Sequence, residues 1–163
     1  MVQGIGGYRA LLEDVDVRGP FYEIYAYRPQ ASEPPDSAWL FLSALKQKDL
    51  ARYSKYLVTI RRLGMSGQAR FEDWHMLDPK KPPKGLAHDA KLLKNIGELK
   101  NIGHKSRIFH YREERRLILL TAYEGKKEDK LTADSVNPAL DLLKRFFHER
   151  ESLLHKVGGR KSS

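Results

Sequence analysis

The chain has no cysteine. That removes disulfides, thiolate nucleophiles and Cys-ligated zinc together, and it fits an intracellular chain without proving one. No apolar run approaches the roughly 18 residues that would mark a membrane span. The opening segment MVQGIGGYRALLEDVDVRG carries acids where a signal peptide would need an apolar centre, so nothing suggests export and a cytoplasmic location is the expectation. No internal repeat is visible. His75, His88, His148 and His155 show no ligand spacing with each other or with nearby carboxylates, which disfavours a metal-dependent nuclease.

What is present is a chain of 163 residues, 40% hydrophobic and 31% charged, enough for one contiguous core of a soluble globular domain. Its net charge of +9 is unevenly placed. Residues 1–79 hold 10 Lys/Arg against 10 Asp/Glu, residues 80–130 hold 14 against 7, and residues 131–163 hold 6 against 4. One third of the chain therefore carries most of the excess. Such asymmetry points to a polyanionic partner, most often nucleic acid, or to a solvated basic face, and composition alone does not choose between them.

Residues 1–20 lack pattern and read as a loose arm, residues 21–156 as a single domain, and residues 157–163 (GGRKSS at the end) as a disordered tail. FYEIYAYR, residues 21–28, is enriched in aromatic and β-branched residues and reads as a strand. Pro29, Pro34 and Pro35 break it, and Asp36 or Ser37 is placed to cap a helix from Ala38. From Leu50, the spacing of Tyr53, Leu57, Ile60 and Gly64 predicts an amphipathic helix that forms a hairpin with residues 37–47. FEDWHMLDPKKPPKGLAHDAK then reads as a surface loop anchored by Phe71, Trp74, Met76 and Leu77. Strand patterns follow at 94–102, 106–112 and 116–123, joined by connections short enough for an antiparallel meander. A closing helix, with Val136, Leu140, Leu143, Phe147 and Leu154 near helical spacing, is placed for interruption at Asn137-Pro138. The whole is an α+β plan, with N-terminal helices on a small antiparallel sheet and a C-terminal helix.

Alternation puts Lys94, Ile96, Glu98 and Lys100 on one strand face, and Arg107, Phe109 and Tyr111 on one face of the next. Pairing of those strands brings Lys100 beside Arg107, and the third strand delivers Lys126 and Lys127 just past its end, with Gly125 allowing a change of direction. A register slip of one residue would undo the grouping. His104 and Lys105 sit in the turn beside the cluster, and Tyr123 next to it could stack on a base or pack as a strand-end aromatic. His110 alternates away from Arg107, which favours a sheet-face role over catalysis.

The run from Leu93 to Leu131, with "ELK" at Glu98 to Lys100, "RIFHY" at Arg107 to Tyr111 and "LILLTAYEGKK" at Leu117 to Lys127, resembles the core of the RelE/HigB superfamily of bacterial toxins, nearest the phage-derived HigB-like branch. The likeness covers about 40 residues and does not extend to the first 60. It implies a RelE-like fold and a metal-independent mRNA endoribonuclease, working without a cofactor at the ribosome and restrained by a cognate antitoxin, typically of helix-turn-helix type, with no membrane partner. By position it implies Lys100, Arg107 and Lys127 as catalytic or RNA-binding cations and Lys126 as a neighbouring one; Lys94, Lys105, His104 and Tyr123, placed by the strands and the turn, complete the candidates for substrate contact. Glu98 stands where RelE-type members place a second lysine, and the tyrosine or histidine that many members carry near the C-terminal end of the site is not matched to a particular residue, which leaves Lys100 or Lys127 as the base. The competing implications are a non-catalytic inhibitor on the same scaffold, as in the ParE gyrase poisons, and a plain RNA- or ribosome-binding module.

Overall fold

The computed structural model describes residues 21–29, 32–70, 72–101, 105–125, 131–149 and 154–156. The expected arm and tail therefore lie outside the described residues. Chain order is β1 (Glu23–Tyr27), α1 (Ala38–Lys48), α2 (Leu50–Ser66), β2 (Trp74–Met76), a 3-10 turn (Ala90–Asn95), β3 (Ile96–Asn101), β4 (Ser106–Glu113), β5 (Arg116–Glu124), α3 (Ala133–Glu149) and β6 (Leu154–Lys156). The α+β class holds, and the predicted meander is present with strand limits within two residues of expectation.

Both N-terminal helices start on local chemistry. Ser37 caps α1, its hydroxyl accepting the Leu40 N–H at 3.2 Å. Asp49 serves two helices: its N–H closes α1 on the Leu45 carbonyl, and its carboxylate accepts the Arg52 N–H that opens α2. One residue thus makes the tight hairpin. The two helices cover one face of the sheet through Leu42, Leu45, Tyr53, Tyr56, Ile60 and Leu63, packed on Ile24, Leu99, Ile108, Leu117 and Leu119. Helix α3 covers the other face through Val136, Leu140, Leu143 and Phe146, packed on Tyr27, Ile96, Phe109, Ile118 and Leu120.

The six strands run in the order β2-β3-β4-β5-β1-β6. The sheet is mixed: β1 lies parallel to β5, and the other pairings are antiparallel. This differs from the wholly antiparallel sheet expected, because the αα hairpin carries the chain over one face and returns it to the far edge before the meander begins. Central β5 is buried on both faces, which is why LILLTA reads as a continuous apolar run.

Three further departures bear on the core. Helix α3 runs through Pro138 without a break. The missing N–H costs one backbone bond, and the buried stripe from Val136 to Phe146 outweighs it. The helix ends at Glu149, and Leu154–Lys156 pairs antiparallel with β1 as a sheet-edge strand instead of continuing the helix. Likewise β2 rises from the segment read as loop and covers the β3 edge. Of its expected anchors, Leu77 is buried in the α3 cluster and Trp74 packs against the α1/α2 cluster, while Phe71 lies outside the described residues.

Candidate functional site

The site is set by register. In the β3–β4 ladder Lys100 is the partner of Arg107, and in the β4–β5 ladder Arg107 is the partner of Tyr123. Lys100, Glu98 and Arg107 alternate with Leu99 and Ile108 of the α1/α2 face, so they share the α3 face with Ile96 and Phe109. The predicted Lys100–Arg107 juxtaposition is therefore present.

Tyr123 reaches that face through an irregularity. The ladder pairs Ile108 with Ala122 but His110 with Leu119, so two residues of β5, Leu120 and Thr121, stand against Phe109 alone. This bulge reverses the alternation beyond it. Leu117 and Leu119 face α1 and α2, yet so does Ala122, leaving half-buried Tyr123 against the α3 cluster and Glu124 on the opposite side. There Glu124 accepts from Arg52 of α2 at 2.7 Å. Gly125 follows, its N–H donating to the Lys105 carbonyl at 2.9 Å. A Cβ at Gly125 would come to 3.1 Å of the Tyr123 ring, so the glycine makes room for that ring.

The electrostatics of the site differ from a bare cation cluster. Arg107 Nη1 donates to Glu98 Oε1 at 2.9 Å, and the second oxygen of Glu98 meets His75 Nε2 at 2.9 Å. His75 is the cross-strand partner of Glu98 in the β2–β3 ladder. Lys100 is 6% exposed and Arg107 7%. A buried guanidinium is thus held by a buried carboxylate, which a histidine fixes from the other side. The His75 Nδ1 is itself buried, so the ring holds Glu98 rather than presenting a nitrogen to solvent. The Glu98 carboxylate is what makes burial of Arg107 tolerable.

The other sequence-predicted residues fall as follows. Lys94 is exposed on the 3-10 turn before β3, at the opposite end of that strand from Lys100, and does not join the pair. The strand begins at Ile96 because Asp89 caps the turn that carries Lys94. Lys105 is exposed in the β3–β4 turn at φ 53°, next to the Lys100–Arg107 end of the sheet. His104, Lys126 and Lys127 lie outside the described residues. His110 is on the α1/α2 face, as its alternation requires, and accepts from Trp74 Nε1–H at 2.8 Å.

Sequence reasoning missed Glu98 and His75 as a pair. Three residues of β2 offer no periodicity to detect, and only the β2–β3 register brings the two side chains together. Among the described residues no three His, Cys, Asp or Glu side chains are grouped to hold a metal ion, and no helix is long and apolar enough to cross a membrane. In comparisons with known proteins, no family model, no curated protein and no solved structure matches the chain.

Proposed function

We propose that the chain is an mRNA endoribonuclease of the RelE/HigB kind, acting in the cytoplasm on ribosome-bound message and held in check by a cognate antitoxin. The observation that supports the reading is the Lys100–Arg107 cross-strand pair on one sheet face, at the end from which β5 leads toward Lys126 and Lys127. RNA brings its own nucleophile. The ribose 2′-oxygen attacks phosphorus as its proton is removed, the P–O5′ bond breaks, and the departing 5′-oxygen takes a proton, leaving a 2′,3′-cyclic phosphate and a 5′-hydroxyl. Preorganised cations stabilise the doubly charged phosphorane, at about 3 kcal/mol for a well-placed donor. Arg107 suits this role because guanidinium stays charged and matches phosphate geometry, and Glu98 fixes its orientation. Lys100 and Lys127 are the candidates for proton transfer, with Lys126, Lys105, His104 and Tyr123 serving the flanking nucleotides.

A second reading has its own support. The burial of Lys100 and Arg107, and the engagement of Arg107 by Glu98, favour a non-catalytic inhibitor or RNA-binding protein of the same architecture. Brief expression followed by mapping of transcript 5′-ends separates the two. The nuclease reading expects growth arrest with new 5′-ends, both lost in Arg107→Lys and Lys127→Ala, while circular dichroism shows each variant folded. Growth arrest without new ends, or cleavage undiminished in both folded variants, overturns it in favour of the second reading.

A further inference from the structure

Helix α2 has a second organised face, turned away from the sheet. Its inner side buries Tyr53, Tyr56, Ile60 and Leu63. On its outer side Leu50 is 64% exposed, and Val58 and Met65 are each 50% exposed. At about 100° per residue these three and exposed Ala51 fall within one arc of about 100°, along a line roughly 22 Å long. Spacings of eight and seven residues return about every two turns, so the three stay on one side of the helix with Ser54 and Arg61 between them.

The same face is cationic. Lys55, Arg61 and Arg62 are exposed around the apolar line, and the 17 residues of α2 include no acid. Arg52 pairs with Glu124 and Asp49, whereas Lys55, Arg61 and Arg62 have no ion pair among the described residues. Moreover α2 lies on the sheet face opposite Lys100 and Arg107, so its charges cannot join theirs around a single phosphate.

We propose that the outer face of α2 is a docking surface for an acidic amphipathic helix, whose apolar side covers Leu50, Val58 and Met65 and whose carboxylates meet Lys55, Arg61 and Arg62. Charge complementarity selects the partner. Nucleic acid would satisfy the cations but leave the apolar line in water. A second copy of this chain would set three cations against three. An acidic helix answers both features, in the helix-in-groove manner of peptide recognition. The proposal stands apart from any nuclease activity.

The test uses the full chain and a synthetic helical peptide of about three heptads, leucine on its inner positions and glutamate on those flanking them. Fluorescence anisotropy is expected to show saturable binding that weakens as salt rises. Val58→Glu, at an exposed position, should weaken it about tenfold or more. The doubly reversed variant Arg61→Glu with Arg62→Glu should lose the acidic peptide and gain a peptide carrying lysine in place of glutamate. Circular dichroism checks that both variants keep the fold. The proposal is overturned by no binding, by binding that Val58→Glu and the reversed variant leave unchanged, or by these substitutions abolishing association with a short RNA, an anionic vesicle or a second copy of the chain instead.

Discussion

The two faces of the sheet bury polar groups in different ways. Beneath α1 and α2 the hydrogen-bonded ones form neutral pairs, Tyr56 with Ser106 at 2.7 Å and Trp74 with His110 at 2.8 Å, beside the uncharged, buried Asn101. On the α3 face, at the same end of the sheet, they are charges: Glu98 bridges Arg107 and His75, with Lys100 two residues along the strand. A neutral pair is inexpensive to bury once bonded, whereas each buried ion costs several kcal/mol that its partner only recovers in good geometry. Apolar residues of similar volume would hold the α3 face as well. Stability accounts for the first face and gives no reason for the second, which is why a functional role is proposed there.

Breaking the charged face should have the largest effect. Glu98→Ala leaves a buried guanidinium without its acid, and the expected loss is about 3 to 5 kcal/mol in urea denaturation. Adding Arg107→Met should recover most of that loss, because the uncompensated charge leaves with it. A cost below about 1 kcal/mol for the single variant would mean that Arg107 is effectively solvated, and the contrast between the faces would vanish.

On the neutral face the most sensitive backbone position is Gly97. It is the cross-strand partner of His110, and a Cβ there would lie 2.6 Å from His110 Nε2 and 2.8 Å from Met76 Sδ. The ring cannot retreat without losing the Trp74 bond. Gly97→Ala should therefore cost about 2 to 3 kcal/mol, toward the upper end for overpacking, with a matching fall in the urea midpoint.

His110 sharpens the comparison through pH. Burial, reinforced by the nearby Arg112 charge, pushes its pKa down to about 3. The unfolded chain takes up a proton near the ordinary value of about 6.5, which the folded chain refuses. The stabilisation is thus complete above pH 6.5 and is lost as pH falls toward 3, at up to about 1.4 kcal/mol per pH unit. Between pH 6.5 and 5 that amounts to about 2 kcal/mol. In paired urea titrations His110→Gln should be less stable at pH 7 and show a shallower decline over this window, since other titrating groups contribute equally to both proteins. Equal slopes would place a charged histidine on the face described as neutral.

The sequence made some of this arrangement legible and hid the rest for identifiable reasons. Strand alternation with short connections was enough to pair Lys100 with Arg107, because an antiparallel hairpin leaves few registers. Ser37 and the proline pair before it marked the start of α1. The bulge at Leu120 and Thr121 has no signal of that kind: simple alternation from Leu117 would turn Tyr123 toward α1 and α2, and only the packed ladder shows the reversal. The parallel β1–β5 pairing and the β6 edge depend on contacts between the two ends of the chain, which local patterns do not encode. Pro138 misled in the opposite direction, since burial along α3 overrode a local breaker.

The smallest expected effect tests whether neutrality itself separates the two faces. Tyr56 and Ser106 lie buried with their hydroxyl oxygens 2.7 Å apart, one on α2 and one at the start of β4. Burial pushes the Tyr56 hydroxyl well above its usual pKa, so the pair stays uncharged over the working pH range. Tyr56→Phe removes the bond but strands only a hydroxyl, which can turn toward another acceptor, and the expected cost is about 1 kcal/mol. Combining it with Ser106→Ala should add little, because the second polar atom is then gone as well. In a double-mutant cycle the coupling should fall well below that between Glu98 and Arg107. A coupling as large as the ionic one would show that burial depth, and not charge, sets the cost of a polar group in this sheet, and the α3 face would lose its claim to be energetically distinct.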